Sequence, residues 1–126
     1  SAHHYFRDFS YCDSGMIPWL LVLELLSEAG KPLSELMKER MARFPISGEI
    51  NSKVKDAKAV IEKIEAEYGP QGTVTKVDGL SVEFPEWRFN LRMSNTEPVI
   101  RLNIEVRQDK KLLQEKTDEL LAKIRG

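Results

Sequence analysis

Two segments of strict apolar–polar alternation, separated by a short polar stretch, constrain this chain more than any other feature. Upstream, Arg88-Phe89-Asn90-Leu91-Arg92-Met93 places an apolar side chain at every second position. Downstream, Ile100-Arg101-Leu102-Asn103-Ile104-Glu105-Val106 does the same. A period of two over such a length is that of half-buried β-strands. Between them, Asn95 tolerates turn dihedrals, and Pro98 drives Glu97 towards an extended conformation. The pattern predicts a β-hairpin with residues 92–98 at its tip.

The tip is rich in donors. Arg92 offers a planar fork that can grip an oxyanion through two parallel bonds. Ser94 and Thr96 bring hydroxyls, Asn95 brings an amide, and the backbone N–H groups of a turn can converge on the same anion. If Phe89, Leu91 and Met93 share a face with Ile100, Leu102 and Ile104, one allowed register sets Arg92 opposite Arg101. Like charges directly across a sheet repel, and an anion between them would reverse that penalty. Other registers that keep the apolar faces together separate the two arginines. The same residue types also make an ordinary solvated turn.

The rest of the chain builds around this hairpin. Residues 1–11 are polar and aromatic and read as a loop. Asp13 or Ser14 can cap a helix that has Pro18 in its first turn and stops at Gly30. This helix is apolar nearly all round and expects cover on several sides, as a core helix would have. Standing without a neighbouring domain, it is expected to be poorly covered. A second helix spans about Pro32 to Phe44 and ends at Pro45. Ile46 to Val54 reads as a strand. Asp56 caps a third helix that runs to Tyr68 and is ended by Gly69-Pro70. Thr73–Val77 and Leu80–Phe84 read as strands joined by the two-residue turn Asp78-Gly79. A last helix covers about Lys110 to Arg125, with Leu113, Thr117, Leu120, Leu121 and Ile124 inward. The expected class is α+β: an antiparallel sheet of four to five strands, helices packed on one face, and a helical segment ahead of it.

Composition narrows the functions. The 126 residues carry a formal net charge of -1, which gives no general attraction to nucleic acid or anionic membranes. The apolar run Ile17–Leu26 is too short to span a bilayer, which takes about 20 residues. A single cysteine, Cys12, excludes an internal disulfide, is compatible with a reducing cytoplasm, and reads as a packing residue. Adjacent His3 and His4 lack the companion ligands of a metal site. Trp87 reads as a core or rim aromatic. The last helix mixes Lys110, Lys111, Lys116, Lys123 and Arg125 with Asp109, Glu115, Asp118 and Glu119, a solvated face rather than a nucleic-acid stripe.

Arg92-x-Ser94-Asn95-Thr96-Glu97-Pro98, followed by Val99-Ile100-Arg101, resembles the phosphate-binding loop of the α-D-phosphohexomutases, with the nearest likeness to the bacterial phosphomannomutase branch. Ser1-Ala2-His3-His4-Tyr5-Phe6-Arg7-Asp8 is similar to the sugar-binding loop of that family, Gly-Glu-x-Ser-Gly-His, entered part-way. Phe84-Pro85-Glu86-Trp87-Arg88-Phe89-Asn90-Leu91 is similar to the lead-in to its phosphate loop. The likeness covers nearly the whole chain. It departs at Ala2, where many members have Gly, and at the missing Gly-Glu ahead of Ser1.

The resemblance implies a C-terminal portion of a longer enzyme. Residues 1–30 would end the preceding sugar-binding domain, and residues 31–126 would form the phosphate-binding domain. It implies phosphate binding by Arg92, Ser94, Asn95, Thr96 and Arg101, and sugar contacts from Ser1 and His3. The implied activity interconverts hexose 6-phosphate and hexose 1-phosphate, on mannose or glucose, through a phosphoserine and a hexose 1,6-bisphosphate. Mg2+ would be bound by residues outside this chain, so no catalytic or metal-binding residue is assigned here and the chain alone is expected to be inactive. The implied partners are the phosphosugar and the other domains of the same cytoplasmic enzyme, with neither nucleic acid nor membrane. The rival reading is a free-standing binding module for an anionic ligand or protein. A natural reading frame that continues upstream of Ser1 into Gly-Glu would separate the two.

Overall fold

The computed structural model describes residues 3–94 and 97–126 and divides into two compact units, residues 1–40 and 41–126. In the first unit, β1 (Tyr5–Phe6) and β2 (Cys12–Asp13) pair antiparallel around a 3-10 turn at Arg7–Phe9. The helices α1 (Met16–Ala29) and α2 (Leu33–Arg43) follow, and the division of the chain falls within α2.

Three expectations for this region are corrected. The stretch read as a loop contains a small hairpin, because Asp13 draws the strands together by accepting from the His4 amide at 2.9 Å. Asp13 is thereby committed elsewhere, and Ser14 Oγ accepts from the Ile17 amide at 3.3 Å instead. Cys12 is exposed rather than packed, since it lies on the two-stranded hairpin away from any core. α1 is not a buried core helix in this chain. Trp19, Leu20, Leu21 and Leu25 are each more than half exposed, in line with the expectation that this all-round apolar helix is poorly covered.

The second unit carries β3 (Ile50–Lys53), α3 (Ala57–Tyr68), β4 (Thr73–Thr75), β5 (Leu80–Glu83), β6 (Trp87–Met93), β7 (Val99–Val106) and α4 (Lys110–Arg125). Its sheet is five-stranded and antiparallel, in the order β3-β7-β6-β5-β4. The α+β expectation holds. Period-two alternation sends Leu80, Val82, Phe89, Leu91, Leu102, Ile104 and Val106 to one face, where they pack with Ile64 and Tyr68 of α3 and Leu120 and Ile124 of α4. Both helices start where their sequences say. Asp56 accepts from the Ala59 amide, and Asp109 from those of Lys111 and Leu112. Phe84 and Trp87 stack at 4.5 Å, and Tyr68 meets Phe89 edge-on at 5.5 Å, so Trp87 belongs to the rim of the core. Tyr68 also donates its hydroxyl to Glu119. Burial raises the Tyr68 pKa above its ordinary range, and the bond to Glu119 raises it further.

Two turns differ from the sequence reading. The β4–β5 connection is longer than Asp78-Gly79 alone, because β4 ends at Thr75 and the chain pairs again at Ser81. Asp78 and Gly79 are pulled onto β6: the Asn90 amide donates to the Asp78 carbonyl at 2.8 Å. The segment read as one strand from Ile46 is interrupted. Ile46 bridges Glu105 and Ile50 pairs with Leu102, so the edge segment takes four steps where β7 takes three. The extra residue makes a β-bulge at Ser47-Gly48-Glu49, with Gly48 at φ 69° and Ser47 Oγ accepting from the Ile104 amide.

Gly79 yields a direct test. Its φ is 77°, and a Cβ there would lie 2.3 Å from the Leu91 carbonyl oxygen, whereas a Cβ on Gly48 would meet nothing within 4 Å. Gly79→Ala is expected to destabilise the fold by roughly 1–3 kcal/mol, more than Gly48→Ala, in urea denaturation. Equal losses would show that the close approach to β6 carries no weight.

Candidate functional site: a paired arginine cluster beside the hairpin tip

The β6–β7 register is the one that sets the two arginines face to face. Phe89 pairs with Ile104, Leu91 with Leu102, Met93 with Ile100, and Arg92 lies directly opposite Arg101. The apolar positions point to the helices, so the arginines share the other face of the sheet. Like charges in that position destabilise a ladder unless something neutralises them.

The neutralising group is Glu49. One of its carboxylate oxygens lies 3.2 Å from an Arg92 guanidinium nitrogen, and the other lies 3.5 Å from an Arg101 nitrogen. Asp78 approaches Arg92 from the opposite side at 3.5 Å. The pairing of β3 with β7 explains how Glu49 gets there. Asn51 pairs with Arg101, so two residues back along a period-two strand Glu49 falls on the arginine face. Each member of the Arg92–Glu49–Arg101 group is about one-third exposed, which leaves it open to a solute. Arg101 Nε is buried and, among the described residues, has no hydrogen-bond partner, so the carboxylate does not saturate this guanidinium.

The loop beyond Arg92 is anchored on both sides. The Ser94 amide donates to the Val99 carbonyl at 3.0 Å, and the Val54 amide donates to the Pro98 carbonyl at 3.2 Å. Thus Arg92 and Arg101 come together on the second unit, and Ser94 follows in the loop whose backbone is tied to Val99. Asn95, Thr96 and Ser1 lie outside the described residues. His3 belongs to the first unit, where its Nδ1 is 2.5 Å from Asp13 Oδ2. Sequence reasoning missed Glu49 and Asp78. Asp78 was visible only as a turn residue, and the separation of 43 positions between Glu49 and Arg92 hides any local signal. Among the described residues no group of three or more His, Cys, Asp or Glu is placed to hold a metal ion. Among them, too, no helix is long and apolar enough to cross a membrane.

This unit is therefore an α+β domain with a neutralised arginine pair on one face of its sheet. Residues 49–123 match the family model of the phosphoglucomutase/phosphomannomutase C-terminal domain. Residues 1–44 match the model of phosphoglucomutase/phosphomannomutase alpha/beta/alpha domain III. The chain belongs to the phosphoglucomutase/phosphomannomutase family. It is 55% identical over 127 residues to the phosphohexose mutases of Xanthomonas campestris pv. campestris, covering 100% of the chain and 28% of the relative. It is 58% identical over 123 residues to a phosphomannomutase of Escherichia coli, covering 97% of the chain and 27% of the relative. For the phosphomannomutase of Salmonella typhimurium the identity is 57% over 123 residues, with the same coverage of 97% and 27%. The chain thus spans little more than a quarter of the length of these curated relatives.

The His3–Asp13 contact has a pH signature. The hydrogen bond from His3, then that from the His4 amide, holds the Asp13 carboxyl below its ordinary pKa. A depressed carboxyl means that the stabilising contribution of the ionised Asp13 is present above the ordinary value of 3.8 and is lost as pH falls through the lower one. A carbon-13 titration of the Asp13 carboxyl should therefore give a midpoint below 3.8. A midpoint at or above that value would mean that the pair does not form in solution.

Proposed function

We propose that this chain is part of a phosphohexomutase that interconverts hexose 6-phosphate and hexose 1-phosphate, and that its sheet-bearing unit anchors the substrate phosphate. The observation that carries this reading is the in-register Arg92–Arg101 pair beside an anchored loop. In this reading Arg92 and Arg101 supply charge, and Ser94, Asn95 and Thr96 supply further donors. Such an arrangement holds the phosphate that is not reacting, and holding it positions the other end of the sugar. The N-terminal segment is read as the end of the sugar-binding domain, with Ser1 and His3 contacting the sugar.

The family's chemistry explains why a remote anchor matters. A phosphoserine passes its phosphoryl group to a free hydroxyl of the hexose phosphate, giving a hexose 1,6-bisphosphate. The bisphosphate turns round and returns its other phosphoryl group to the serine. A site that grips whichever phosphate is idle serves both halves of the cycle. Phosphoryl transfer depends chiefly on charge neutralisation and positioning. In this reading the transferring serine and the ligands of a Mg2+ ion belong to parts of the enzyme outside this chain. The mannose and glucose substrates share the phosphate that this site would hold. A cytoplasmic location suits a phosphosugar substrate.

The test is an amide chemical-shift titration of the chain with mannose 1-phosphate at low salt, with mannose as the neutral control. Shifts should centre on residues 92–101 and fit a dissociation constant on the order of millimolar, about −4 kcal/mol. Arg92→Lys should weaken binding several-fold although the charge is kept, because the two-bond fork is lost. Equal shifts with mannose, or shifts centred elsewhere, would remove the phosphate-anchoring role and favour a non-catalytic module.

A further inference from the structure

We propose that Glu49 is a resident counter-anion of the arginine pair, so that phosphate enters this site by exchange with a carboxylate of the protein itself. The inference rests on the phosphate-anchoring reading above and adds a residue that controls its affinity.

The geometry is that of a ligand already in place. Glu49 divides its two oxygens between the two guanidinium groups, at 3.2 Å from Arg92 and 3.5 Å from Arg101. Without it, two cations would face each other across adjacent strands with, among the described residues, Asp78 as the remaining carboxylate in an ion pair with either, reaching Arg92 at 3.5 Å. Glu49 is held there by the backbone. The bulge at Ser47-Gly48 is stapled to β7 by Ser47, whose amide donates to the Ile104 carbonyl while its hydroxyl accepts from the Ile104 amide, each at 2.9 Å. An anion tethered in this way competes at high effective concentration. A monoanion from solution would bring no more charge than Glu49 already supplies. A phosphate monoester brings close to two charges and more acceptor oxygens, so it has a reason to displace the carboxylate. The resident carboxylate thus sets a threshold that favours dianionic ligands.

The contact is also weak enough to yield. The ion pairs are long and about one-third exposed, and such pairs contribute little to stability. By contrast, Arg88 and Glu105 at the other end of the same strands pair through two bonds at 2.9 and 3.0 Å.

The experiment compares the wild-type chain with Glu49→Gln, using inorganic phosphate as the probe and dimethyl phosphate as the monoanion. The variant should lose thermal stability in phosphate-free buffer and regain more of it on adding phosphate than wild type does. Its phosphate dissociation constant should fall roughly two- to tenfold, the range expected for losing a partly exposed ion pair as competitor. Dimethyl phosphate should bind the variant measurably while leaving wild type almost unchanged. In wild type itself, the Glu49 carboxyl carbon resonance should move as phosphate is added, which tests the exchange even if the variant folds poorly. Phosphate binding at residues 92–101 with an unchanged or weakened affinity in Glu49→Gln, or with a stationary Glu49 resonance, would overturn the exchange while leaving the anchoring role intact. No phosphate binding near these residues in either protein would overturn both.

Discussion

The pairing of β6 with β7 is the contact on which the rest of the second unit depends. Phe89, Leu91, Leu102 and Ile104 are at most 1% exposed, and they meet in cross-strand pairs beneath the two helices. Slipping either strand by one residue would turn every one of these side chains to the opposite face. Burying a side chain of this size is worth about 1.5–3 kcal/mol, so the register is held by several such terms acting together. An unfavourable contact on the other face costs far less than that and is carried along. This is how two arginines come to face each other in a stable sheet.

The two ends of the same strand pair show the difference. Arg88 lies opposite Glu105, an opposite-charge pair that stabilises the ladder locally. Arg92 lies opposite Arg101, and the charge is offset by carboxylates brought in from elsewhere, Glu49 from the edge segment and Asp78 from the β4–β5 turn. A local rule broken at one place in an otherwise consistent sheet is the mark expected of a binding site. The aromatic and helical packing lies on the other face, so the arginine cluster can exchange partners without disturbing the core. The anchoring of Ser94 on Val99 and of Pro98 on Val54 holds the base of the tip loop next to the cluster.

Much of this was legible in the residues. Period two gave β6 and β7, the apolar stripes gave α3 and α4, and Asp56 marked the start of α3, because each of these signals is local. The resemblance of Arg92-x-Ser94-Asn95-Thr96 pointed to phosphate, and the family match followed. The strand register stayed open, because several alignments keep apolar residues together and only the complete core selects one. The bulge was hidden because Ser47-Gly48-Glu49 interrupts an alternation that otherwise continues through it. Glu49 was missed for the same reason: its role arises from β3 lying beside β7, a long-range pairing that no local pattern encodes. The β4–β5 turn was read too short because Asp78-Gly79 is a strong turn signal, while the tertiary bonds to Asn90 and Arg92 decided its shape. The hairpin at Tyr5–Asp13 was missed because its two-residue strands are too short to show a period.

We propose that register makes Arg92 and Arg101 one anion seat rather than two separate cations. The most direct measurement is a double-mutant cycle with Arg92→Gln, Arg101→Gln and the double variant, reading the affinity for inorganic phosphate at fixed low salt. A shared seat predicts that each single change removes most of the binding. The double change should then cost less than the sum of the two, with a coupling of about 0.5–3 kcal/mol. Losses that add, or an Arg101→Gln variant that binds phosphate as well as wild type, would show that the two arginines face each other without acting together.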